Sequence, residues 1–150
     1  MAAGDGLIVA LPQTFMNRSG YAARCLAERH GVEASGVLVV YDDVALPLGR
    51  LRLRARGSAG GHRGMESVIE NLQSAEVPRL RLGVAPAAGF PAGTDLAEWV
   101  LAPFETAEAA AVEALVERAA DAADCWLDEG TEIAMNRFNR EDLSPEPGLG

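Results

Sequence analysis

Apolar and polar positions along this chain follow two periods, and the switches between them mark out its elements. Short unbroken apolar runs at 6–11 and 37–40 read as strands buried on both faces. The first ends at Pro12, which has no N–H to give to a ladder, and delivers a turn from Gln13 to Asn17. The second ends on Asp42 and Asp43, so both apolar strands release polar groups at their C-terminal ends, as in the ligand crevice of open α/β sheets. Between them Tyr21, Ala22, Cys25, Leu26 and Arg29 recur at helical spacing as far as Gly31, a suitable C-terminal cap. From Arg50 to Arg56 the sequence R-L-R-L-R-A-R alternates strictly, which puts Leu51, Leu53 and Ala55 toward a core and four arginines on the other face. The preceding Leu46-Pro47-Leu48-Gly49 reads as a turn and a hairpin-like return.

The glycine-rich stretch Gly57 to Gly64 opens a helix, because Met65, Val68, Ile69 and Leu72 repeat at i, i+3, i+4 and i+7. Leu80, Leu82 and Val84 alternate with Arg79, Arg81 and Gly83 in a last strand. Residues 85–93 form a mobile loop, and residues 95–101 a short helix over Trp99. A long helix from Glu105 to Asp128 follows, with Val112, Leu115, Val116 and Ala119 on its apolar face. Ile133 to Phe138 is one more helical piece, and 141–150 is a disordered tail. The expected organisation is one domain over 1–140, a size that 150 residues of 49% hydrophobic content can support.

No run of about 18 apolar residues exists, and Asp5 stands where a signal peptide carries basic residues, so the expected location is the cytoplasm. Cys25 and Cys125 lie far apart on apolar helical patterns and read as free, buried thiols, with no spacing for a metal site. A net charge of -9 argues against nucleic acid as a partner. Its distribution argues the other way. All 13 basic residues are arginine, and seven (Arg50, Arg52, Arg54, Arg56, Arg63, Arg79, Arg81) fall between 50 and 81, opposed there by Glu66, Glu70 and Glu76. An arginine stripe on an acidic protein can bind phosphate bidentately and stack on bases.

The glycine loop lacks both the G-x-G-x-x-G pattern and the Gly-Lys-Ser/Thr ending of a phosphate-binding P-loop. From the loop alone, an anion-receiving helix start and a plain strand-to-helix turn are equally good readings. Asn17 alone reads as a turn residue, and Asp42 alone as a cap or turn acid.

The strings Gln13-Thr14-Phe15-Met16-Asn17-Arg18-Ser19-Gly20, Tyr41-Asp42-Asp43-Val44-Ala45-Leu46-Pro47-Leu48-Gly49 and Gly57-Ser58-Ala59-Gly60-Gly61-His62-Arg63-Gly64 change that balance. In this order and spacing the chain resembles bacterial-type peptidyl-tRNA hydrolase. The resemblance implies an α/β fold with a twisted mixed sheet flanked by helices, and hydrolysis of the ester joining a peptide to the 3′ ribose of tRNA. It implies a role in ribosome rescue and tRNA recycling, tRNA as partner, monomeric action, and no metal or organic cofactor. Asp42 matches the aspartate that orients a catalytic imidazole, and Asn17 the asparagine that binds the substrate backbone and helps place water. Phe15 and Met16 line the same cleft. Gly61 and His62 match the loop near the tRNA end, and Arg54 and Arg81 match basic residues that contact tRNA phosphates. Arg63 stands where the commonest pattern has asparagine; a guanidinium there can stabilise an oxyanion or clamp a phosphate.

The resemblance also places the family's catalytic histidine in an Asn-Pro-Gly…Arg-His-Asn segment upstream of Met1, together with further strands. The expectations are that the 150-residue chain is N-terminally truncated, lacks its general base, and self-associates through an open sheet edge. His30, near a helix C-terminus, is no replacement. The alternatives are a non-catalytic RNA-binding protein of the same fold and an α/β hydrolase of another ester, the latter without a serine elbow or zinc motif to support it.

Overall fold

The computed structural model describes residues 2–4, 7–11, 18–86, 90, 92–95 and 106–139. Its elements are β1 (Ala2–Gly4), β2 (Leu7–Val9), α1 (Ser19–His30), β3 (Val39–Pro47), β4 (Leu51–Arg54), α2 (Arg63–Leu72), β5 (Arg79–Ala85), α3 (Ala109–Glu129) and α4 (Thr131–Phe138). The chain forms two compact units, one of residues 1–39 and 54–79, the other of 40–53 and 80–150.

In the first unit β1 and β2 form an antiparallel ribbon, with Ala2 opposite Val9 and Gly4 opposite Leu7. The expected single buried strand over 6–11 is therefore a short hairpin strand whose Val9 is 51% exposed. An apolar run does not reveal its own cover, and a two-stranded ribbon covers little. Helix α1 turns toward α2 its smallest residues, Gly20 and Ala27, and not the expected face: Tyr21 and Cys25 are exposed. The reason is close approach. A Cβ on Gly20 would lie 1.9 Å from the carbonyl oxygen of Ser67, and the Gly20 N–H donates to Ser67 Oγ at 2.9 Å. The buried thiol expected at Cys25 is thus an exposed one, whereas Cys125 is buried as expected. Gly31 ends α1 in the left-handed conformation at φ 64°, its N–H bonding back to Glu28. Helix α2 buries Met65 and Val68 and ends on Gln73, a non-glycine residue at φ 54°.

The second unit holds, save for one terminal residue of each strand, a three-stranded sheet in the order β3-β5-β4. The bonds Val39 N–H to Pro78 and Leu48 N–H to Ala85 advance together along β3 and β5, which are parallel. Gly83 N–H to Arg50 and Gly57 N–H to Ala75 run oppositely, so β4 is antiparallel and the sheet is mixed. The expected hairpin return is corrected: Leu48 and Gly49 do make a turn, with Gly49 at φ 97°, but β5 inserts between the strands it joins. Strand β3 also runs on through Asp42 and Asp43, because β5 supplies hydrogen-bond partners beyond them. On the central strand β5 Leu80, Gly83 and Val84 are buried, and a Cβ on Gly83 would meet the Pro47 carbonyl oxygen of the neighbouring β3.

Leu51 and Leu53 of β4 are buried as the alternation requires. The edge of β4 is closed by Asn139, whose Oδ1 accepts the Leu53 N–H at 2.8 Å while its Nδ2 donates to the Leu53 carbonyl at 2.9 Å. Helix α3 buries Leu115, Ala119, Ala122 and Cys125; Val116, expected on that face, is 58% exposed. Arg118 ties α3 to α4 by donating to the Phe138 carbonyl at 3.1 Å and lying 5.4 Å from that ring's centre. Arg137 donates to Glu129 at 2.7 Å and holds its carboxyl below the usual range, helped by the Cys125 thiol, which donates to the same carboxylate. Burial, and then that bond to Glu129, push the thiol up.

Of the expected loop at 85–93, Ala85 instead ends β5 while 87–89 and 91 lie outside the described residues, as do 96–101 of the expected helix at 95–101 and the tail at 141–150.

Candidate functional site

The described residues singled out from the sequence belong to strands, the glycine loop or the start of α2. Phe15, Met16 and Asn17 lie outside the described residues; Ser19 and Gly20 of the same string open α1, where Gly20 serves helix packing. In the second unit Asp42 is exposed on β3. Its neighbour Asp43 points the other way along the pleat and is half-buried, accepting the Ala45 N–H on Oδ1 and the Arg81 Nε–H on Oδ2, both at 2.7 Å. Arg81 is therefore an ion-paired residue on β5, its side chain 26% exposed and bound to Asp43 through Nε.

The first unit contains the glycine loop, Arg54 at the exposed end of β4, and the start of α2. Gly57, Gly60 and Gly61 have φ of 136°, 59° and 84°, values that L-residues with a side chain rarely adopt, and a Cβ on any of them would meet open space. The glycines are required here by backbone conformation, not by crowding. His62 ends the loop as the N-cap of α2, its Nδ1 accepting the Met65 N–H at 3.0 Å. That bond fixes the neutral tautomer with the proton on Nε2, so His62 presents a donor and not a base on its other nitrogen. Arg63, the first helical residue, is exposed.

The arginine stripe divides. Arg54, Arg56 and Arg63 are exposed, with Arg56 in a loose 3.7 Å pair with Glu76. Arg79, counted in the stripe, is 2% exposed, and its guanidinium donates to the carbonyls of Val77, Ser58 and Ala75 at 3.0, 2.7 and 3.1 Å. Alternation shows which side chains share a face and not which face packing covers. Neither Asp43 nor Arg79 was singled out individually from the sequence; the paired Asp42-Asp43 on one strand and arginine in two successive strands were the signals that could have pointed to them. Among the described residues no group of His, Cys, Asp and Glu is arranged to hold a metal ion, and no helix is long and apolar enough to cross a membrane.

Fold and side chains together define an α/β protein that sets the exposed Arg63 and a glycine-shaped loop at a helix start, an arrangement suited to an anionic ligand. The chain belongs to the peptidyl-tRNA hydrolase family, whose model matches residues 1–146. It is 53% identical over 134 residues to the peptidyl-tRNA hydrolase of Synechococcus sp. strain JA-3-3Ab, covering 89% of this chain and 58% of that one. It is 47% identical over 150 residues to that of Synechococcus sp. strain JA-2-3B'a(2-13), covering 93% and 65%. The chain thus spans about three fifths of the length of these curated relatives. A peptidyl-tRNA hydrolase crystallised with N-propanol shares the α/β fold at a TM-score of 0.76 and 22% identity, over 89% of this chain and 66% of that one. The enzyme structure from Acinetobacter baumannii gives 0.73 at 25% identity, over 86% and 64%.

Proposed function

We propose that this protein acts in the hydrolysis of peptidyl-tRNA, cleaving the ester between the peptide carboxyl and the 3′ ribose oxygen to give a free peptide and a reusable tRNA in the cytoplasm. The observation that carries the reading is the glycine loop: three residues at positive φ leading into α2 through the His62 cap, with Arg63 exposed beside it. Such a loop has an accessible backbone at the positive end of a helix, where phosphate or a developing oxyanion is stabilised. In the reaction a water loses its proton to an imidazole, attacks the ester carbonyl, and the tetrahedral intermediate expels the ribose oxygen, which takes up the proton. Asp42 is the carboxylate we assign to orienting that imidazole and stabilising its protonated form. Asn17 is assigned to the substrate backbone and the water, Phe15 and Met16 to the cleft wall, and Gly61 and His62 to the acceptor end of tRNA. Arg63 is assigned to the oxyanion or a phosphate, and Arg54 and Arg81 to phosphates. The reading includes no metal and no organic cofactor.

Release of peptide from N-blocked aminoacyl-tRNA tests this, with the 150-residue chain and a product extended through the upstream in-frame codons assayed side by side. Turnover by the extended product that falls at least about 100-fold in Asp42→Asn supports it. Absence of turnover in both rejects it, and salt-dependent tRNA binding without turnover would favour the RNA-binding alternative, to which exposed Arg54, Arg56 and Arg63 also lend themselves. Sedimentation of the same two products reads the expected self-association through a sheet edge.

A further inference from the structure

The loop from Gly57 to His62 is shaped by glycines, and glycines have no side chains with which to fasten it. Within its unit the loop is tied at both of its ends. At its far end His62 Nδ1 caps α2. At its near end the Gly57 N–H donates to the Ala75 carbonyl at 3.1 Å, and Arg79 donates through Nη1 to the Ser58 carbonyl at 2.7 Å. The same guanidinium reaches Ala75 through Nη2 and Val77 through Nε, so the carbonyl that receives Gly57 is itself held by Arg79. These three acceptors lie around a planar fork, a geometry that a lysine ammonium does not reproduce. The side chain is buried, 2% exposed.

We propose that Arg79 is a positioning residue: it locks the near end of the glycine loop in the shape that receives the acceptor end of tRNA, and acts on the ligand only through that loop. The proposal deepens the reading of this loop as an RNA-binding element and rests on it. Displacement of a binding loop by about an ångström costs roughly 10- to 100-fold in the function it supports.

The test combines amide exchange of the 57–62 segment with tRNA affinity measured across a salt series, for the 150-residue chain and its Arg79→Lys and Arg79→Gln variants at a temperature where each is folded. We expect exchange in 57–62 to rise about tenfold or more while the amides of α3 keep their rates. We expect tRNA affinity to fall about tenfold with the salt slope unchanged, since no phosphate contact is lost. Unchanged loop exchange overturns the proposal. So does a salt slope that drops by about one, which would make Arg79 a direct phosphate ligand. So does an affinity loss that tracks only the folded fraction, which would make its role purely structural. Should Arg79→Gln fail to fold, Arg79→Lys, which retains the charge and loses the fork, decides by the same readouts. Failure of the parent chain to bind tRNA would reject the RNA-binding reading, while exchange would still decide whether Arg79 holds the loop.

Discussion

Replacing Gly20 by alanine tests how α1 and α2 are joined. An added Cβ would sit 1.9 Å from the Ser67 carbonyl oxygen, 2.2 Å from its carbon and 2.7 Å from Asn71 Nδ2. Two of those three atoms are backbone within α2, so no rotamer change relieves the overlap and the helices must separate. Overpacking of this kind costs about 1–3 kcal/mol and here belongs at the upper end. Separation also breaks the buried bond from the Gly20 N–H to Ser67 Oγ, about 1–3 kcal/mol with its donor left unsatisfied. Alanine's better helix propensity returns at most about 1 kcal/mol. The net expectation is a loss of roughly 3–5 kcal/mol, or about 10 °C or more in Tm for a chain of this length. Urea unfolding followed by circular dichroism measures it, with Ser67→Ala as a companion that removes only the acceptor and loses about 1–3 kcal/mol. A Gly20→Ala variant within about 0.5 kcal/mol of the parent would refute the close contact and with it the account of why glycine stands there.

Asn139→Ala strips both partners from the buried backbone of Leu53 and is expected to cost about 2–4 kcal/mol by urea unfolding; a loss under about 0.5 kcal/mol would show water or other groups taking over. Gln73→Gly removes a side chain from a left-handed helix end and should raise stability by about 0.5–1 kcal/mol, seen as a higher urea midpoint at constant slope. Arg137 lowers the folded-state pKa of Glu129, so the pair adds stability above the unfolded carboxyl's value of about 4.3 and loses it as pH falls through the lower folded value. Glu129→Gln should therefore flatten the acid limb of the stability profile below about pH 5, and an unchanged limb would remove the pair from the account. Of the two thiols, exposed Cys25 should react with a disulfide reagent in the folded protein, while Cys125, buried and with its pKa raised, should react only after unfolding.

The local periodicities carried much of the fold. Helical spacing found α1, α2, α3 and α4, and the R-L-R-L pattern found β4 with Leu51 and Leu53 inward. Failures came where a residue's environment is supplied by distant chain. The buried face of α1 differs from the one its hydrophobicity predicts because close packing selects Gly20 and Ala27, residues that hydrophobicity ranks low. The spacing predicts Val116 inward, yet it is exposed, since the period is satisfied equally well by a stripe through Ala122 and Cys125. Of the candidate site, the strings containing Asp42 and the glycine loop were legible as motifs, and the structure gives Asp42 an exposed strand position and the loop its positive-φ glycines.

By itself the sequence determined the family, the positions of most helices and the residues able to carry charge at the loop, because these depend on local pattern and on strings of specific side chains. Only the tertiary structure decided that β5 lies between β3 and β4, and that one decision changed the meaning of the arginines. Arg79, buried at the start of β5, spends its donors on backbone carbonyls, and Arg81 is gripped by Asp43 of the neighbouring β3, while Arg54 at the end of an edge strand remains exposed. Alternation along a strand fixes which residues share a face; which faces meet water is set by neighbours far away in sequence.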